Sequence, residues 1–395
     1  MTRKAAQHSI VIATSTSFAP AFQGDSRRLL SLIECLRRNG SRVVVVYLTS
    51  EFAVRPDTLA MADACDELRI VPLESQDVAR RTDAPDSWCP DTMVGEVRRT
   101  CEHERPDVLL AHFVFMSRCL VACRGLVPLL VLDADNVMED RRSRHEEMGL
   151  SYGWFSTSRA SEVSALRRAD VVLAIQEGEA EHFRSVAPGL QVTTVAPMID
   201  VHPSGVPGRF CVGFLGSDNP VNRLAVRTIV CDIAPAVSEL GRSIDWIVGG
   251  AVDFDEALYE GGQRPCRSLH GLVRFGLVPD LSEFYEKCSV VVNPVAFGTG
   301  VSMKTVEALA YGRPVLTTPA GVRGLPTPRP RSLVLADDAE EFARKLCHED
   351  WRSLIRAGDG LGYAQRLQTE ARTSLLRALG CEPVDGTPSV ARHQD

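Results

Sequence analysis

The sequence predicts an α/β protein of two Rossmann-like domains, each a parallel sheet flanked by helices. Three observations carry that expectation. Short β-branched runs alternate with longer amphipathic stretches, the mark of repeated βαβ units. The alternation stops at 197–208, where three prolines and two glycines interrupt any periodicity, and then restarts. A chain of 395 residues is long enough for two domains with real cores.

The elements follow in order. Ser9 to Ala13 reads as the first strand, a loop runs to Gly24, and a helix from Asp25 to Asn39 is stopped by Gly40. Arg42 to Leu48, Asp107 to His112, Val127 to Asp133, Asp170 to Ile175 and Val192 to Val195 read as further strands. Beyond the linker, strands are expected at Phe210–Leu215, Ile244–Val248, Val273–Phe275, Val290–Asn293, Pro314–Thr317 and Leu333–Leu335. Helices are expected at Asn222–Leu240, Leu281–Lys287, Val301–Tyr311 and Asp338–Leu346, and from Asp350 to about Leu379. The segments read as 1–197, an amino-terminal domain; 198–208, a hinge linker; 209–360, a carboxyl-terminal domain; 361–380, a closing helix; and 381–395, a tail.

Composition narrows the function classes. The chain is 45% apolar and 24% charged, which excludes wholesale disorder and fibrous repeats. Its net charge of −7 argues against a nucleic-acid partner, which normally calls for a basic domain or stripe. Only Lys4, Lys287, Lys304 and Lys345 are lysines among 44 basic residues, so each lysine stands out. The 12 cysteines are scattered, with no C-x-x-C and no zinc spacing, and read as small buried hydrophobes in a reducing cytoplasm. Arg3 and Lys4 before Ile10-Val11-Ile12 mimic a signal peptide, but the apolar run is too short and reads as a strand. The longest apolar run, near Cys119 to Leu132, is broken by Arg124 and Pro128 and falls short of the ~20 residues of a membrane span. A cytoplasmic protein with at most peripheral membrane contact is expected.

The chemistry concentrates in Asn293-Pro-Val-Ala-Phe-Gly-Thr-Gly-Val-Ser-Met-Lys-Thr-Val-Glu-Ala-Leu-Ala-Tyr-Gly-Arg-Pro-Val315. This segment runs from a strand end through a Gly-rich loop into a helix. A helix amino terminus preceded by glycines offers free N–H groups to an anion, reinforced by the helix dipole. On a helical wheel Gly300, Lys304, Glu307 and Tyr311 share one stripe, and Ser302, Met303, Val306, Leu309 and Ala310 the opposite, buried one. A cation and a carboxylate above a phosphate-binding loop suit a nucleoside diphosphate and its ribose hydroxyls. A Walker A loop needs Gly where Met303 stands, and a dinucleotide fingerprint also lacks its third glycine there. The alternative for Lys304 and Glu307 is an ordinary surface pair at i,i+3.

The wider pattern Gly-Thr-Gly-x-x-x-Lys-x-x-Glu-Ala-x-Ala-x-Gly-x-Pro-Val-x-x-Thr, followed by Gly321 and Gly324-Leu325, resembles the donor-binding signature of retaining GT-B glycosyltransferases, the family-four branch above all. Phe214-Leu215-Gly216-Ser217 resembles the strand and turn that open that family's carboxyl-terminal domain. Leu277 to Leu281, followed by Phe284-Tyr285, resembles its segment near the nucleotide base, and Gly24 to Arg28 its Gly-rich loop beside the sugar diphosphate.

The resemblance implies a GT-B architecture with the acceptor on the amino-terminal side, the donor on the carboxyl-terminal side, and a last helix crossing back. It implies that Glu307 accepts the ribose hydroxyls, that the backbone at Gly300, Val301 and Ser302 holds the diphosphate, and that Lys304 neutralises it. Gly24 and Gly216 would line the donor site. Two departures stand out. Thr299 takes the place of a second glutamate that helps hold the donor sugar, and Asp135 takes the place of a His near the reacting centre. Asp135 would hydrogen-bond a sugar hydroxyl or act on an acceptor proton, though not donate as His does; its alternative is to cap the following helix.

His112, Arg223 and the run Arg141-Arg142-Ser143-Arg144 are weaker candidates, read as a structural histidine, a chance arginine and a solvated helix face. The expected activity is glycosyl transfer from a nucleotide-diphosphate sugar to an unknown acceptor, with retention and without cofactor or metal. The alternatives are an epimerase or phosphorylase of the same fold, or a non-catalytic nucleotide-sugar-binding protein.

Overall fold

The computed structural model describes residues 8–49, 56–150, 152–259, 271–278, 280–298 and 300–382. Thr299 and Pro279 therefore lie outside the described residues, as do the chain's start and most of the 381–395 segment. The first sheet holds β1 (Ser9–Thr14), β2 (Arg42–Leu48), β3 (Glu67–Val71), β4 (Val108–His112), β5 (Leu129–Asp135), β6 (Val171–Ala174) and β7 (Gln191–Thr194), in the order β3-β2-β1-β4-β5-β6-β7. The second holds β8 (Cys211–Leu215), β9 (Asp245–Gly249), β10 (Leu272–Gly276), β11 (Val290–Asn293), β12 (Val315–Thr317) and β13 (Leu333–Leu335), in the order β10-β9-β8-β11-β12-β13. Every pairing in both sheets is parallel. The order reverses between β1 and β4 and between β8 and β11, the places where such sheets open a ligand crevice.

The β-branched runs explain the layers. Along β1 and β2 successive side chains point to opposite faces, so Val11, Ala13, Val44 and Val46 enter one apolar core while Ile10, Ile12, Val43 and Val45 enter another. Helices cover both faces, which is why these strands read as continuous apolar runs rather than alternating ones. The last helix, Asp359–Ala378, joins the two halves: Tyr363, Ala364 and Leu367 pack in the core with Leu309 and Val315, and Ala371, Leu375 and Leu376 pack in the core with Leu29 and Ile33. The described cysteines are free thiols, most of them buried. No helix among the described residues is long and apolar enough to cross a membrane.

The structure departs from the sequence expectations in places. β3 has no counterpart among the expected strands, because on this edge strand Glu67 and Arg69 engage Arg42 and Glu104 and mask its alternation. The expected helix 222–240 starts at Pro220 and passes through a π-turn at Ile229–Ile233 before resuming at Ala234. The widened turn accommodates Pro235, which has no N–H for a regular ladder. The expected helix beyond Asp350 divides into Trp351–Ala357 and Asp359–Ala378 at Gly358, whose φ of +64° ends the first helix in a left-handed cap.

Candidate functional site

The carboxyl ends of the two sheets face each other across a cavity of about 710 Å³, lined from both halves of the chain. That volume is in the range of small-molecule sites. On one wall stands the helix Met303–Ala310, reached from the end of β11. Val301, Ser302, Lys304 and Glu307 all line the cavity there, with Gly216 beside them on the second sheet's side and Gly24, Arg27 and Asp135 on the wall of the first sheet.

Lys304 is placed by the turn after β8. Gly216 accepts no side chain, since a Cβ would stand 2.9 Å from the Phe214 ring and 3.1 Å from the Asn222 side chain. The space it leaves admits Asn222, whose amide donates to the Ser217 carbonyl at 2.8 Å and whose Oδ1 accepts from Lys304 Nζ at 2.8 Å. The ammonium also lies 5.2 Å from the centroid of the Phe214 ring. Burial pulls its pKa down to about 8; Arg27 adds to that shift and Glu307 opposes it.

Glu307 is held differently. Its Oε2 accepts from the Tyr285 hydroxyl at 3.0 Å, and its Oε1 pairs with Arg27 Nη1 from the facing wall. The Glu307 side chain is 1% exposed. Tyr285 in turn stacks on Tyr311 at 4.8 Å. Lys304 and Glu307 thus each have separate partners, and the surface-pair alternative does not describe them. The two-faced reading of this helix needs correcting too. Met303, assigned to the buried face, reaches the cavity, its Cγ 3.2 Å from where a Gly24 Cβ would stand. The helix is a wall between two halves, so both its faces are packed, and its first turn projects into the cleft.

The Gly300 amide donates to Glu179 Oε1 at 2.9 Å, and Gly300 has a φ of +67° that suits glycine. Glu179 comes from the helix Glu177–Val186 of the other half. In the first turn of the Met303–Ala310 helix the Thr305 amide bonds the Ser302 carbonyl at 3.1 Å, whereas Met303 and Lys304, whose amides precede the intrahelical ladder, line the cavity.

Asp135 ends β5 with a left-handed φ of +58°. The following helix starts at Arg141 after Asp140, so Asp135 does not cap it. Arg28, buried below the cavity, forks onto Asp133 at 2.6 and 3.1 Å and reaches Asp135 only at 3.4 Å. Asp133 takes the better geometry, and Asp135 is left with a share of one guanidinium and a 2.7 Å hydrogen bond from Asn136. Burial therefore raises the Asp135 pKa to about 7, opposed by Arg28 and assisted by Asp133. A carboxyl shifted toward neutrality has both its accepting and its donating form within reach of ordinary pH.

The weaker candidates separate. His112 is fully buried, its Nδ1 3.2 Å from the Thr14 hydroxyl, and burial lowers its pKa to about 4, which suits a neutral structural residue. Arg223 pairs with Asp218 at 2.7 Å on the cavity rim. The run 141–144 is not one solvated face: Arg142 pairs with Asp83 at 3.0 Å, whereas Arg141 turns to the cavity, 5.6 Å from the ring centroids of both Tyr152 and Trp154. Arg27, Arg28 and Glu179 carry much of the site's charge; the sequence placed the segment Gly24 to Arg28 beside the sugar diphosphate but gave neither arginine a role, and it did not mark Glu179. Their partners lie 280, 105 and 121 residues away.

Residues 23–198 match the family described as Glycosyl transferase 4-like domain, and residues 209–348 match Glycosyl transferases group 1. No curated protein sequence matches the chain. Among solved structures, sucrose-phosphate synthase of Thermosynechococcus elongatus superposes with a TM-score of 0.68 at 15% identity, covering 94% of this chain and 98% of that one. HepE of Anabaena, solved in complex with UDP-glucose, superposes with a TM-score of 0.65 at 15% identity, covering 94% and 99%. A glycosyltransferase of Rickettsia africae gives 0.57 at 13% identity, covering 95% of each chain. At these identities the likeness establishes the fold.

Proposed function

The chain belongs to the GT-B-fold glycosyltransferases with a 4-like first domain and a group-1 second domain, and from that premise we propose that it moves a sugar from a nucleotide-diphosphate donor to an acceptor with retention of configuration. The observation that carries this reading is the separate anchoring of Lys304 and Glu307 on one cavity wall, a cation and a carboxylate one turn apart. Glu307 takes the ribose hydroxyls, and Lys304 with the amides at the start of its helix takes the diphosphate. Because HepE was solved with UDP-glucose, a uridine donor is the first to try.

In the reaction the bond from the anomeric carbon to the diphosphate breaks and the acceptor oxygen bonds to the same face. The acceptor's proton passes to the departing phosphate. Fixed positive charge aimed at the leaving oxygens stabilises that step. Asp135 meets a hydroxyl of the sugar or of the acceptor from the opposite wall.

Turnover of a panel of nucleotide sugars with and without acceptors, in chelator, tests the assignment. Transfer should need no magnesium or manganese at the diphosphate, since Lys304 supplies charge there. Activity lost in chelator and restored by magnesium or manganese would sink that expectation. Donor consumed without acceptor would favour the epimerase, and binding without turnover the non-catalytic reading, which Thr299 and Asp135 motivate.

A pH dependence follows from Lys304. Its pKa is depressed to about 8, so the ammonium is present below that pH and lost above it. Affinity for a nucleoside diphosphate should therefore fall as pH rises from 7 to 9, and Lys304→Arg, which stays charged, should flatten the profile. An equally steep profile in Lys304→Arg would assign the titration to another group.

A further inference from the structure

Beside the main cavity lies a second one of about 870 Å³, lined by Glu139, Glu179, His182 and Arg323 among others. Four buried polar atoms without hydrogen-bond partners belong to those residues: Glu139 Oε2, Glu179 Oε2, His182 Nε2 and Arg323 Nε. The concentration at one place is unusual, because buried polar atoms are generally paired.

Two of these atoms face each other. His182 Nε2 lies 3.2 Å from Glu139 Oε2, yet neither makes a hydrogen bond. Glu139 is 7% exposed, and its other oxygen, Oε1, takes Arg159 Nε at 2.6 Å. Glu162 completes the group from the helix Arg159–Leu166; its two oxygens accept from the Met138 and Glu139 amides at 2.7 and 2.9 Å. Each of those carboxylate oxygens keeps a lone pair. One donor atom from each of Glu139, Glu162 and His182 lies within 4.8 Å of the other two.

We propose that Glu139, Glu162 and His182 form a site for a divalent transition metal, zinc being the ion that this set of one imidazole and two carboxylates fits best. Zinc bound at about 2.0–2.2 Å in tetrahedral geometry holds neighbouring ligand atoms roughly 3.3 Å apart, close to the observed Glu139–His182 separation. The pair is thus spaced for two ligands of one ion and is not aligned as a hydrogen bond. Arg159 pairs with Glu139 alone, while Glu162 is held by two backbone amides, so the two carboxyl groups have room for added positive charge. The neighbouring cavity gives an entry path and a place for a solvent ligand.

The ion would have a positioning role. His182 and Glu179 stand on one helix, three residues apart, and Glu179 holds the Gly300 amide of the facing domain. Metal at His182 would tie that helix to Glu139 and fix the wall against which the Gly300 loop rests. The site lies outside the Lys304 cavity, so the proposal does not depend on the glycosyltransferase assignment.

The test uses the full chain stripped by chelator and dialysed, with zinc alone added and no substrate. Calorimetry should show one tight equivalent, and the melting temperature should rise with zinc. His182→Ala and Glu139→Gln should each weaken zinc about tenfold or more. His182→Gln, which preserves bulk at a half-buried position, guards against a folding artefact. Cobalt bound in place of zinc should lack the charge-transfer band of thiolate ligands, which separates this site from the cysteines. No binding, binding undiminished in both His182 variants, or a thiolate band would overturn the proposal and leave Glu139 and His182 a plain ion pair.

Discussion

Lys304→Ala is expected to lower kcat by about two orders of magnitude while changing KM for the donor far less. The ammonium is held by the protein itself, by Asn222 Oδ1 at 2.8 Å and the Phe214 ring at 5.2 Å. It therefore needs no reorganisation as the bond to the diphosphate breaks. Burial, the same cause that lowers its pKa to about 8, strips water from it, so its attraction to a developing negative charge is less screened. That charge is largest in the transition state, and the loss should fall on kcat. If Lys304 only braced the Asn222 turn, the substitution would lower the melting temperature and leave kcat within about threefold of the parent, a change of under 1 kcal/mol in barrier. Lys304→Arg should recover part of the rate, since it restores charge but cannot adopt the same point contact with Asn222.

The parts of the fold and site that were legible in the sequence share a physical character. β1, β2 and β4 are buried on both faces, so their apolar runs are continuous and plain. The Gly-rich loop and the helix behind it are local features, with Lys304 and Glu307 three residues apart. What was not legible depends on distant segments meeting. Arg27 meets Glu307 across the cleft, and nothing near residue 27 announces a carboxylate 280 positions on. With arginine so common in this chain, residue type alone did not mark Arg27 or Arg28. Residue type gave no sign of the raised pKa of Asp135, which comes from burial, with Arg28 making its closer contacts to Asp133. At Met303 a wheel drawn for a one-faced helix failed, because this helix has a domain on each side.

Glu307→Gln is expected to weaken nucleoside diphosphate binding by roughly 1.5–3 kcal/mol, the value of a hydrogen bond to a charged group, or about 10- to 150-fold in Kd. The substitution keeps the shape and removes the anionic acceptor. The structure adds a competitor: Arg27 Nη1 occupies Glu307 Oε1, and Tyr285 occupies Oε2 at 3.0 Å. Two accounts then predict different patterns. If Glu307 serves the ribose, Arg27 is a rival for its oxygen, and Arg27→Gln should leave affinity unchanged or tighten it. If the Arg27–Glu307 pair is only a tie between the two halves, breaking it from either side should cost similar stability and alter nucleotide affinity equally. Calorimetry on both variants with UDP, alongside their melting temperatures, separates the two without an acceptor. A large loss confined to Glu307→Gln supports the ribose contact. Equal losses, or none, return Glu307 to the role of an interdomain tie and remove the observation on which the glycosyltransferase site assignment rests.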